Sequence, residues 1–115
     1  MKIQGKLIII GGAVDKGSFT ETDLDKNAAK NLNFFETGIL KLILDESKHK
    51  LESRIEIITT ASKIPKEIGP EYVKALNYLG ASNVDVLNIE RREQATDPEI
   101  LDRLRAADVV MFTGG

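Results

Sequence analysis

Leu7-Ile8-Ile9-Ile10-Gly11-Gly12 is a run of four aliphatic residues closed by two glycines. Successive side chains of a strand point to opposite faces of its sheet. An unbroken apolar run therefore predicts a strand buried on both faces. The same pattern recurs three times along the chain. Ile55-Glu56-Ile57-Ile58 is ended by Thr59-Thr60, residues 84–89 are apolar in partial alternation, and Val109-Val110-Met111-Phe112 is ended by Thr113-Gly114-Gly115.

The intervening segments carry helical spacing. Phe34, Phe35, Ile39, Leu42 and Ile43 approximate one apolar helix face, which predicts a helix over about residues 35–48. Ile68, Tyr72, Leu76 and Leu79 lie in register on a second helix, and Gly80 stands where a left-handed C-terminal residue is expected. A third helix opens at Thr96-Asp97-Pro98-Glu99, with Asp97 as N-cap and Pro98 at the first helical position. Ile100, Leu101 and Leu104 form its apolar stripe.

Strands alternating with helices predict right-handed crossovers and a parallel α/β sheet covered on both faces. The expected strand order is 2-1-3-4, counting from residues 7–10, with the crossover helices divided between the faces. Residues 17–33 form one long polar stretch after the first strand, expected to be the most mobile internal segment. After Phe112 only Thr113-Gly114-Gly115 follows, so no helix covers the fourth strand. That edge is expected to be incomplete and to drive self-association, as a homo-oligomer or with the remainder of a parent, through residues 109–112.

The bulk properties narrow the function. A chain of 115 residues supports one domain, here residues 1–115. Its net charge of −2, with no long block of one sign, lacks the electrostatic footprint of a nucleic-acid binder. The first apolar run has only four residues, too few for a signal-peptide core or a membrane span. A soluble cytoplasmic protein without nucleic-acid or membrane partners is expected. The chain has no cysteine and one histidine, so no metal site and no cysteine nucleophile are expected.

Ligands of open parallel sheets bind outside the carboxyl ends of the strands. Here those ends are the residues from Gly11 to Ser18, Thr59-Thr60-Ala61-Ser62, Glu90-Arg91-Arg92 and Thr113-Gly114-Gly115. Gly12 and Gly17 have the separation of a phosphate-binding loop. However, Ser18-Phe19 stands where Lys-Ser/Thr is needed to meet the phosphates. No G-x-S-x-G nucleophile elbow is present. His49, near a helix end, reads as a solvated cation that suits the helix dipole and lies toward the wrong end of the sheet. The Gly114-Gly115 pair can turn backbone N–H groups toward a ligand with no Cβ in the way, as an oxyanion hole requires, or can serve as a plain strand-to-helix turn.

Four pieces in this order resemble the cyanophycinase family, serine peptidases related to dipeptidase E. They are Lys6-Leu-Ile-Ile-Ile-Gly-Gly-Ala-Val-Asp-Lys16, Ile57-Ile-Thr-Thr-Ala-Ser62 with Pro65 and Tyr72, Leu79-Gly-Ala81, and Val110-Met-Phe-Thr-Gly-Gly115. The resemblance implies a doubly wound, flavodoxin-like three-layer sandwich of the class I glutamine amidotransferase type. It implies that this chain is the N-terminal portion of a larger catalytic domain. The nucleophilic serine, histidine and acidic partner would all lie beyond Gly115, leaving these 115 residues inactive alone. It also implies hydrolysis of cyanophycin or a related β-aspartyl peptide, without cofactor or metal. Gly114 and Gly115 would hold the oxyanion, and Asp15 and Lys16 would contact substrate. Val14 departs from the acidic residue expected there, and residues 17–33 are longer than in compact members. The alternative is a complete small flavodoxin-like binding or interaction module without catalysis.

Overall fold

A computed structural model of the chain describes residues 5–11 and 38–114. Gly12, Asp15, Lys16, Gly115 and the stretch expected to be mobile, residues 17–33, lie outside the described residues. The described elements are α1 (Ile39–Glu46), a 3-10 turn (Lys50–Glu52), β1 (Ile55–Ile58), α2 (Pro65–Tyr78), β2 (Val84–Leu87), a second 3-10 turn (Arg92–Thr96), α3 (Pro98–Ala106) and β3 (Val109–Phe112).

The three strands form one parallel sheet in the order β2-β1-β3. This is the flavodoxin-like order, and the parallel α/β class read from the sequence holds. The expected order 2-1-3-4 is corrected. It put residues 7–10 in the second place and Ile55–Ile58 at the edge. Instead Ile55–Ile58 is the central strand, and residues 7–10 are not assigned to a strand. Burial explains the exchange. All four residues of β1 are buried, whereas Leu7 is 82% and Ile9 87% exposed.

Register fixes the two faces of the sheet. Ile55 and Ile57 align with Val84 and Val86 on one side and with Val109 and Met111 on the other. This face meets α1 and α2: Leu40, Ile43, Leu44, Tyr72, Ala75, Leu76 and Leu79 join Ile55, Ile57 and Met111 in one buried cluster. Gly69 permits the approach of α2, since a Cβ there would stand 3.1 Å from a Val86 methyl. The opposite face carries Glu56 and Asp85, and Arg103 of α3 reaches both. The crossover helices are therefore divided between the faces, as right-handed connections that first leave β1 in one direction and then return across it require.

Two local signals act as read. Gly80 adopts φ +103° at the end of α2, the left-handed conformation that favours glycine. Asp97 Oδ1 accepts from the Glu99 amide at 2.9 Å, capping α3 with Pro98 behind it.

Candidate functional site

Because the strands are parallel, their carboxyl ends share one edge of the sheet. In a 2-1-3 order the crevice lies between β1 and β3, where successive connections diverge. Its walls are Thr59-Thr60-Ala61-Ser62 and Thr113-Gly114. The walls are tied together where the strands end: the Thr113 amide donates to the Ile58 carbonyl at 3.0 Å. Thr113 itself is buried.

The remaining bonds shape the loops. The Ser62 amide donates to the Thr59 carbonyl at 3.0 Å, and Ser62 Oγ accepts from the Ile64 amide at 3.1 Å. On the β2 side, Thr60 Oγ1 donates to the Ile89 carbonyl at 2.7 Å. Beyond it, Gln94 Oε1 accepts from the amides of Glu90 and Arg91, each at 2.8 Å. These bonds leave Glu90, Arg91 and Arg92 exposed at the rim.

Thr59 is fully buried, and its Oγ1 has no hydrogen-bond partner among the described residues. A buried hydroxyl left unpaired costs about 1–3 kcal/mol, so such a group stands out in a folded protein. Sequence reasoning placed Thr59 at a strand end but had no signal for its missing partner. Gly114 is exposed, and a Cβ built on it would meet nothing within 4 Å. It stands at the mouth of the crevice, next to the buried Thr113. The structure brings Gly114 and Thr59 to the same edge, while Gly115, Asp15 and Lys16 lie outside the described residues.

His49 sits at the other edge. It follows the Ser47 cap of α1, and its Nδ1 lies 3.0 Å from Asp108 Oδ2, just before β3. The imidazole is half-exposed and so partly solvated as expected, but its partner is a carboxylate rather than the helix dipole alone. The Arg54 amide donates to the same Asp108 oxygen at 2.9 Å. That amide first, and His49 second, hold the Asp108 carboxyl below its ordinary value of 3.8.

A carboxyl with a lowered folded-state pKa contributes stability above its unfolded value. The contribution is lost as pH falls through the folded one. Asp108→Asn should therefore flatten the loss of stability below pH 3.8 relative to the parent chain. Urea unfolding across acid pH checks this, with the parent as reference because Glu46, lowered by its hydrogen bond to Lys6, responds in the same direction. Identical acid slopes in the two proteins would show that the Asp108 contacts carry no stability.

Among the described residues, no group of three or more His, Asp or Glu side chains is placed to hold a metal ion. None of their helices is long and apolar enough to cross a membrane. A shallow groove of about 500 Å³, lined by Pro70, Val73, Lys74, Asn77, Tyr78 and Val86, lies along α2 and β2 rather than at the strand ends.

Comparison with known proteins gives a distant and partial likeness. A 61-residue stretch is 38% identical to a protein named Cyanophycinase from Trichormus variabilis, and the same figures hold for a Cyanophycinase from Nostoc sp.. The stretch covers 53% of this chain and 20% of each relative, so the chain matches about a fifth of the length of these curated relatives. No protein-family model matches. The chain is thus distantly similar to cyanophycinases over that stretch.

Proposed function

We propose that this chain supplies the oxyanion-binding edge of a cyanophycinase-like serine-type peptidase. The single observation carrying the reading is the position of Thr113-Gly114 at the switch-point crevice of a chain similar to cyanophycinases. The substrate would be cyanophycin or a related β-aspartyl peptide. A serine following Gly115 in the parent would attack the scissile carbonyl and pass its proton to a histidine, with an acidic residue orienting that histidine. The N–H groups of Gly114 and Gly115 would stabilise the negative charge that develops on the carbonyl oxygen. No step calls for a metal or cofactor. Asp15 and Lys16, which follow the Leu7–Ile10 run in the sequence, would contact the substrate.

The test is hydrolysis of cyanophycin by the complete gene product, beside the 115-residue chain alone. The complete product should release aspartyl-arginine peptides, and the short chain should release none. Gly115→Pro removes one N–H donor and should lower kcat about 100- to 1000-fold with little change in KM. A complete product inactive on cyanophycin and on β-aspartyl peptides would refute this reading. It would favour a flavodoxin-like binding module, the alternative that the 2-1-3 strand order also suits.

A further inference from the structure

The loop after β2 brings Glu90, Arg91 and Arg92 to the carboxyl edge of the sheet, where all three are exposed. Hydrogen bonds fix it in place. Gln94 Oε1 holds the Glu90 and Arg91 amides together, each at 2.8 Å. The Gln94 amide donates back to the Arg91 carbonyl at 3.1 Å, and Thr96 Oγ1 donates to the Glu93 carbonyl at 3.1 Å. The bond from Thr60 Oγ1 to the Ile89 carbonyl ties this loop to the Thr59–Ser62 wall of the crevice. Rim and crevice are therefore one connected edge.

The chain has five arginines, and all lie among the described residues. Arg54 and Arg103 meet Glu56, and Arg105 meets Asp102. Among the described residues no carboxylate forms an ion pair with Arg91 or Arg92, although Glu90 and Glu93 flank them. Glu90 instead accepts from the Asn88 side-chain amide at 3.0 Å. A guanidinium stays charged throughout the physiological range, and its planar donors match a carboxylate in pairs. The rim thus presents two such groups on a fixed turn, with no internal carboxylate among the described residues taking them up.

We infer that Arg91 and Arg92 form a carboxylate-binding rim, which receives an acidic residue of a peptide bound in the crevice between β1 and β3. The inference rests on the peptidase reading, in which Gly114 and Gly115 hold the scissile carbonyl, and it assigns where the rest of the substrate lies. The end of β2 is about one and a half strand spacings from that crevice, roughly 7 Å across the edge. An extended peptide advances about 3.3 Å per residue, so the rim meets a carboxylate roughly two residues from the bond that is cut. An acidic peptide gains ion pairs there that a neutral one of the same size does not. The selection is made by side chains that take no part in the chemistry.

The test is binding of a fluorescently labelled tetra-aspartate peptide to the complete gene product, read by anisotropy at low salt. The peptide should bind about tenfold more tightly than its tetra-asparagine counterpart. The double variant Arg91→Gln with Arg92→Gln should remove most of that preference with an unchanged circular dichroism spectrum. Arg105→Gln, which alters an exposed arginine in the last turn of α3, should leave the preference intact. Equal binding of the two peptides, or binding of neither, overturns the inference. So does a preference that survives the double variant, or one that falls equally in Arg105→Gln and so reports net charge alone. In hydrolysis of an acidic peptide the double variant should raise KM with kcat little changed. An unchanged KM overturns the inference and leaves the peptidase reading standing. An arginine-dependent preference in a product that hydrolyses neither cyanophycin nor β-aspartyl peptides would defeat the peptidase reading and keep Arg91 and Arg92 as a carboxylate site.

Discussion

Arg103→Met is expected to destabilise the fold by about 3 kcal/mol. Glu56 stands in the middle of the central strand and is fully buried. Arg54 Nη2 meets its Oε1 at 2.6 Å, while Arg103 meets Oε1 through Nε at 3.2 Å and Oε2 through Nη2 at 2.6 Å. Arg103 is thus the side chain that satisfies Oε2. The hydrogen bond to Glu56 in turn holds the Arg103 guanidinium more firmly in its charged form. Removing one partner of a buried pair leaves the other charge uncompensated, at a cost of about 3–5 kcal/mol. The lower end applies because Arg103 is 29% exposed and water can reach part of the site. The double variant Glu56→Leu with Arg103→Met removes both charges and should recover to within about 1 kcal/mol of the parent, since a well-packed apolar replacement of a buried pair is often neutral. Urea unfolding of the parent, the single and the double variant measures both. A loss under about 1 kcal/mol in Arg103→Met would mean that Arg54 alone satisfies the carboxylate.

Leu44→Ala should cost about 2–5 kcal/mol. Leu44 is fully buried in the cluster that joins α1 to β1 and α2. Truncation loses the transfer energy of the side chain and leaves a cavity that helices held on both flanks cannot close fully. Domains of this size have roughly 5–15 kcal/mol in all, so the variant should melt many degrees lower, at roughly 4–8 °C per kcal/mol. Leu42→Ala, two residues earlier and 50% exposed, should change stability by no more than about 0.5 kcal/mol. Comparable melting temperatures for the two variants would mean that α1 does not pack as described.

The elements themselves were legible in the sequence because their signals are local. A left-handed glycine ends α2 at Gly80, and the Asp97 side chain with Pro98 starts α3. Three apolar runs closed by polar or glycine turns became β1, β2 and β3. The strand at residues 84–89 ends earlier than read, at Leu87, because Thr60 Oγ1 takes the Ile89 carbonyl and the chain turns into the loop before α3. The candidate edge was legible too, since parallel strands bring every carboxyl end to the same side.

What the sequence determined by itself is the class of the fold, a parallel α/β sheet with its turns and caps in place. Periodicity and turn chemistry act within a few residues. Only the tertiary structure decided which strand is central. Residues 7–10 and Ile55–Ile58 look alike as strings, and the run containing a glutamate looks the less suited to the middle of a sheet. Arg103 reverses that comparison from 47 residues away by taking up the Glu56 carboxylate. The Thr59 hydroxyl, without a partner among the described residues, and the His49–Asp108 pair are likewise long-range facts. Each depends on which side chains and backbone groups meet across the sheet, and no periodicity along the chain encodes that meeting.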